Sequence, residues 1–114
     1  MLKGLGDMAK LMAQAGELQA KLAEAQARVA EIEAEGQSGA GMVRVAATGK
    51  GTVTRLSVDQ SLVDGTEDKA VLEDLIVAAV NDALGKAKEA AATEMAKVTE
   101  GMPLPPGMKN PFGG

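Results

Sequence analysis

Over residues 1–35 the apolar side chains recur in a fixed order. Met8, Leu11, Ala15, Leu18, Leu22, Ala25, Val29 and Ile32 stand alternately three and four apart. That is the a/d seam of a helix that meets one partner surface along its length. Glu17 precedes Lys21, and Glu24 precedes Arg28, by four residues, the favourable order for ion pairs on a helix surface. Gly36 occupies the place of a helix-ending glycine. Gly16 lies on the outer face, where it weakens a helix by about 1 kcal/mol relative to alanine. The spacing predicts one long helix over 1–35. Its seam packs either on the chain's own later elements or on another molecule.

The period then changes. Residues 36–41, GQSGAG, read as a flexible connector. From Met42 the chain alternates, with Val43, Val45 and Ala47 on one side and Arg44 on the other. After the turn Gly49-Lys50-Gly51 it alternates again: Thr54, Leu56 and Val58 face one way, and Val53, Arg55 and Ser57 the other. Two such runs around a short glycine turn predict an antiparallel hairpin. A lone hairpin is barely stable, so helices or another chain's strands must cover its apolar face. The GKG turn is not a phosphate loop, since the Gly-x-x-x-x-Gly-Lys-Ser/Thr pattern is absent and no helix follows the glycines.

Residues 60–66 form a loop into a second long helix over roughly 67–99. Val71, Leu72, Leu75, Ile76, Ala79, Val80, Ala83, Leu84 and Ala87 make a broad apolar stripe. Glu67, Asp68, Glu73 and Asp74 crowd its start, where the helix dipole favours negative charge. Beyond Ala87 the stripe thins, and that part either outruns the core or forms a separate short helix. The chain then turns into GMPLPPGMKNPFGG, residues 101–114. Pro103, Pro105 and Pro106 prescribe a stiff, non-helical tail. The predicted class is α+β: long helix, small antiparallel hairpin or sheet, long second helix, and a proline-rich extended tail. Residues 1–100 form one domain and 101–114 the tail.

Composition adds a constraint on self-sufficiency. Alanine supplies 21 of the apolar residues, and only 31 are larger aliphatics, methionine or phenylalanine. Alanine favours helices but buries little area, so a second copy of the chain is expected to complete the interior. The only aromatic residue, Phe112, lies in the tail, which is expected either to run extended across the dimer, with Leu104, Met108 and Phe112 filling apolar gaps, or to be a disordered terminus, as its flanking glycines allow.

The chemistry is narrow. With neither cysteine nor histidine, disulfides, thiolate nucleophiles, imidazole bases and most transition-metal sites are excluded. Asp59, Asp64, Glu73 and Asp74 adjoin no nucleophile motif and read as a solvated acidic surface rather than a carboxylate pair at work. No enzyme, cofactor, metal or small-molecule substrate is expected. There is no signal-peptide pattern and no membrane-length apolar run, so a cytoplasmic location is the expectation. The net charge of −4 speaks against a generic nucleic-acid binder, which is usually basic.

The run SGAGMVRVAATGKGTVTRLSVDQSLV, followed by LEDLIVAAVNDAL and then GMPLPPGMKNPF, resembles the YbaB/EbfC family of bacterial nucleoid-associated proteins. The likeness covers nearly the whole chain in order, although no single motif in it is chemically diagnostic. It implies a tweezer-like α/β homodimer that binds double-stranded DNA, associates with the nucleoid and contributes to its organisation, with consequences for gene regulation. Affinity for DNA comes mainly from cations on phosphates. Lys3 and Lys10, then Lys88 and Lys97, are the less neutralised candidates for such contacts, with Lys21 and Arg28 behind them. Val43, Val45, Leu56, Val58, Leu72, Leu75, Ile76 and Phe112 are the candidates for the dimer interface. The alternative reading is an acidic, coiled-coil-like protein-interaction module whose contact with DNA is weak or indirect.

Overall fold

A computed structural model of the chain describes residues 2–65 and 68–100, with the side chains of all of these except 2–5 and 99. The elements are helix α1 (Leu2–Glu31), strand β1 (Glu33–Ser38), a 3₁₀ turn (Gly39–Gly41), strands β2 (Val43–Thr48) and β3 (Val53–Val58), a second 3₁₀ turn (Gln60–Leu62), helix α2 (Lys69–Ala96) and a closing 3₁₀ turn (Lys97–Thr99). The three strands form one antiparallel sheet in the order β1-β2-β3. The fold is α+β, as the period changes along the sequence predict. Pro103 to Phe112 and the rest of the tail lie outside the described residues.

The main departure from the sequence reading is β1. Helix α1 stops at Glu31, four residues before the predicted end, and Glu33–Ser38 is an edge strand paired in register with β2 from Glu33↔Thr48 to Ser38↔Val43. Gly36 is therefore mid-strand, not a helix cap, and the supposed connector shrinks to the turn at Gly39–Gly41. This strand carries no β-branched residue. What holds it is tertiary: a side chain at Gly36 would drive into α2, its Cβ coming within 2.7 Å of both the Ala79 carbonyl oxygen and the Ala83 Cα. The glycine lets the helix backbone rest on the strand backbone.

Helix α2 answers with equally small residues. Ala79, Ala83 and Ala87, one helical turn apart, are fully buried against Val43, Val45 and Ala47. Leu72, Leu75, Ile76, Val80 and Leu84 are half-buried around that strip, whereas Val71 from the predicted stripe is exposed. Asp68 caps the helix start by accepting from the Ala70 N–H at 3.3 Å. Two polar contacts fix its position on β1: the Ser38 hydroxyl donates to the Leu75 carbonyl, and the Gln37 N–H donates to Asp82. Ser38–Leu75, Gly36–Ala83 and Arg28–Glu94 are pairs that run in opposite directions along the chain. The α1–β1 segment and α2 are thus antiparallel throughout.

The hairpin tip closes on the other end. The Gly49 N–H donates to the Ile32 carbonyl at 3.2 Å, and a Cβ at Gly49 would meet the Val29 backbone. Strand β3 departs from simple alternation. A bulge at Ala46/Ala47 leaves Thr54 without a Cα partner and sets Val53 opposite Ala47, on the same face as Leu56 and Val58. That face is open, because α2 lies over β1 and β2 and reaches little of β3.

Candidate nucleic-acid interface

Helix α1 is the element that sets the geometry of the basic residues. Its thirty residues span roughly 45 Å at 1.5 Å per residue. Only its C-terminal half is supported: Ala25 is buried, and Leu18, Leu22, Val29 and, just past the helix end, Ile32 are half-buried, with α2, β2 and the closing 3₁₀ turn packed on the helix. The N-terminal half projects as an arm, and the molecule measures 80 × 25 × 17 Å. Lys10 is on that arm, exposed and without an ion pair among the described residues. Lys3 lies in the first turn of α1, and its side chain is outside the described residues.

The remaining candidates sit on the stem where α1 meets the end of α2. Lys21 pairs with Glu17 at 3.6 Å, as the spacing predicts. Arg28 does not pair with Glu24. Its Nε donates instead to Glu94 at 2.9 Å, and Lys97 donates to the other oxygen of the same carboxylate at 3.1 Å. Two hydrogen-bonded cations, Arg28 first and Lys97 second, hold the Glu94 carboxyl below its ordinary range. Lys88 is exposed and free of ion pairs among the described residues. The structure thus brings Arg28 and Lys97 together and leaves Lys10 and Lys88 as isolated charges. Glu94 partly neutralises the pair: its contact with Lys97, three residues on, has a spacing legible in the sequence, whereas its bond to Arg28, 66 residues away, had no local signal.

Lys50 is a further cation that charge spacing did not single out. It is exposed at the hairpin tip and lines an open cavity of about 380 Å³ with Gln26, Ala27, Val29, Ala30 and Met95. The docking of Gly49 on α1 is what carries it to the stem. The other face of the sheet is mixed, with Arg44, Arg55, Glu33 and Glu35 alternating in sign, and Arg55 reaching Glu33 at only 3.9 Å. It offers no net positive field.

The candidates for a dimer interface fall into two groups. Val43 and Val45 are wholly buried beneath α2 and belong to the chain's own core, so they are not available to a second molecule. Leu72, Leu75 and Ile76 are half-buried against that core, as is Val58. Leu56 remains 49% exposed and Val53 40%. Phe112 lies outside the described residues. On α2, Val77 is 58% exposed, and helical geometry sets it about 140° from Asp82. Since Asp82 faces the outer edge of β1, Val77 looks toward the β3 side. Val53 and Leu56 thus stay bare on the face of β3 that α2 leaves open, with Val77 bare on α2.

Among the described residues no group of three carboxylates could hold a metal ion, and no helix is long and apolar enough to cross a membrane. The model of the YbaB/EbfC DNA-binding family matches residues 4–102. Among solved structures, an uncharacterised protein of Helicobacter pylori, HP0035, shares the fold with a TM-score of 0.63 at 22% identity, over 75% of this chain and 88% of that one.

Proposed function

Since this chain belongs to the YbaB/EbfC DNA-binding family, whose members are nucleoid-associated DNA-binding proteins, we propose that it grips double-stranded DNA as a homodimer, through the α1 arms and the stem. It acts in the cytoplasm on the nucleoid, and its influence on genes follows from that occupancy. The observation that carries the dimer is the open apolar face of β3. Leu56 and Val77 each leave about half their surface bare, on a fold whose deepest layer is mostly alanine and valine. A second copy placing the same face against it gives a two-fold, self-complementary interface.

The arms then supply the contact with DNA. Lys10 and Arg28 are eighteen residues apart on α1, roughly 27 Å along its axis, which approaches one helical turn of B-DNA at about 34 Å. Lys3 lies further out, and Lys88, Lys97 and Lys50 join at the stem. Local potential decides phosphate contact, so an acidic total does not forbid binding. It predicts modest affinity that falls steeply with salt.

Fluorescence anisotropy with a labelled duplex, run from low to moderate salt, tests the reading alongside light scattering. The expected results are a mass twice the 11.6 kDa of the chain and salt-sensitive binding that charge reversal at Lys3 and Lys10 abolishes. Absence of any binding at low salt would instead favour a protein-interaction module.

A further inference from the structure

We propose that the projecting arm of α1 pairs antiparallel with the same arm of a second copy, in the register that sets Met8 opposite the partner's Leu18 and Leu11 opposite the partner's Ala15. This contact is separate from the face of β3. It starts from the uneven cover of one seam. From Leu18 to Ile32 the apolar positions are half-buried or buried, yet Met8 and Leu11 are 61% and 64% exposed, and Ala15 is exposed with them. Met12, at the edge of the same stripe, is 73% exposed. A continuous apolar stripe left in water marks an interaction site.

The occupant is a second copy because the stripe complements itself when reversed. Met8 and Ala15 hold a positions of the heptad, and Leu11 and Leu18 hold d positions. Two antiparallel helices join an a residue to a d residue in every layer. In this register the layers are Met8 with the partner's Leu18, Leu11 with the partner's Ala15, and their two-fold equivalents, about 15 Å of helix in all. The flanking positions agree. Asp7 comes beside the partner's Lys21, an opposite charge, and Gln14 comes beside the partner's Gln14. On the other flank Met12 meets the partner's Met12 and closes the layers. Lys21 is held by Glu17 at only 3.6 Å, with its side chain 43% exposed, so it can accept a second carboxylate.

Other arrangements lose these matches. A shift of one heptad outward leaves Leu18 out and sets Asp7 beside Gln14. A shift inward needs Ala25, which is fully buried in the chain's own stem. Parallel pairing would drive two stems together, whereas antiparallel pairing sends them to opposite ends. Where the stem begins, the seam position that faces Leu22 is Gly4, which brings no side chain to the crowded place. Lys10 holds a c position, on the outer face of the pair, and its charge stays open. Together with the β3 contact, on whose reading this consequence rests, the arms join copies in series.

The chain has no cysteine, so single thiols report the arrangement. Gln14→Cys in the full-length protein should be joined into a covalent pair by a short bis-maleimide. Ala13→Cys, one residue away on the outer face, should not. Asp7→Lys should cut the Gln14→Cys yield severalfold, and adding Lys21→Glu should restore it, with circular dichroism showing the helices intact throughout. In the Leu56→Asp background the yield should persist. Equal yields at positions 13 and 14 overturn the proposal, as does a yield that Asp7→Lys leaves unchanged or a loss that Lys21→Glu does not repair. Loss of the covalent pair in Leu56→Asp protein would tie the arm contact to β3 and overturn its independence. No DNA is present, so failure here is distinct from failure to bind a duplex.

Discussion

The backbone N–H of Gln37 donates to the Asp82 carboxylate at 3.0 Å, so the edge strand β1 is pinned to α2 by a charged acceptor. Lys86 adds a second donor to the same oxygen at 3.1 Å. The Gln37 bond first, and Lys86 after it, hold the Asp82 carboxyl below its ordinary value. Asp59 is lowered by the Ser61 N–H and then its hydroxyl, and Glu94 by Arg28 and then Lys97. A carboxylate whose pKa is lower in the folded state stabilises the fold above its unfolded pKa, and that contribution disappears as pH falls through the folded value. The thermal midpoint should therefore fall once pH drops below about 4. With no histidine in the chain, it should stay level between roughly pH 6 and 8. Asp82→Asn should lower the midpoint at neutral pH and shrink the acid-induced fall. Melting curves across pH check this, and an undiminished fall in the variant would remove Asp82 from the account.

Gly36 and Gly16 make a matched pair for substitution by alanine. At Gly36 the new methyl collides with the α2 backbone, within 2.7 Å of three of its atoms. Neither backbone can yield without parting strand and helix. Overpacking of this kind costs about 3 kcal/mol. At Gly16, mid-helix on α1, nothing lies within 4 Å of the added carbon, so alanine should stabilise by about 0.5–1 kcal/mol. Urea denaturation of both variants measures the contrast. Equal effects would mean that the tight contact at Gly36 is not made in solution.

These positions also mark what could be read from the sequence. The seam of α1, the hairpin around Gly49-Lys50-Gly51 and the stripe of α2 are local periodicities, and each element appears where its period is. Strand β1 is not local. Glu33-Ala34-Glu35 has helix-forming composition, and it becomes a strand because β2 supplies its hydrogen bonds and α2 needs Gly36 beneath it. The charges divide the same way. Lys21 pairs with Glu17 and Lys86 with Asp82 one turn away, whereas Arg28 bypasses Glu24 for a glutamate on the other helix. Whether Val43 and Val45 faced α2 or another chain depended on the same unseen packing.

Leu56→Asp should separate dimerisation from folding. The residue is half exposed in the single chain, so the monomer core loses little. In the proposed dimer its carboxylate would be buried without a partner, a penalty of about 3 kcal/mol, or about a hundredfold in dissociation constant. Sedimentation at several concentrations should show monomer where the parent remains dimeric, with the helical circular dichroism signal kept. A dimer as tight as the parent's would move the interface away from β3.

Glu94→Gln bears on the DNA-binding surface itself. Glu94 holds both Arg28 and Lys97, which leaves the three groups with a combined charge of only +1. The amide removes one negative charge and still offers an oxygen to Arg28, so the stem should keep its packing while its positive field doubles. If phosphates meet this stem, affinity for duplex DNA should rise. The slope of log K against log salt should steepen by about one unit for each phosphate newly neutralised. Lys10→Ala should act in the opposite sense, weakening binding across all sequences and flattening the slope by about one. Anisotropy titrations at several salt concentrations read both effects on the same duplex. A Glu94→Gln protein with unaltered affinity and slope would place the phosphate contacts on the arm alone, away from the junction of α1 and α2.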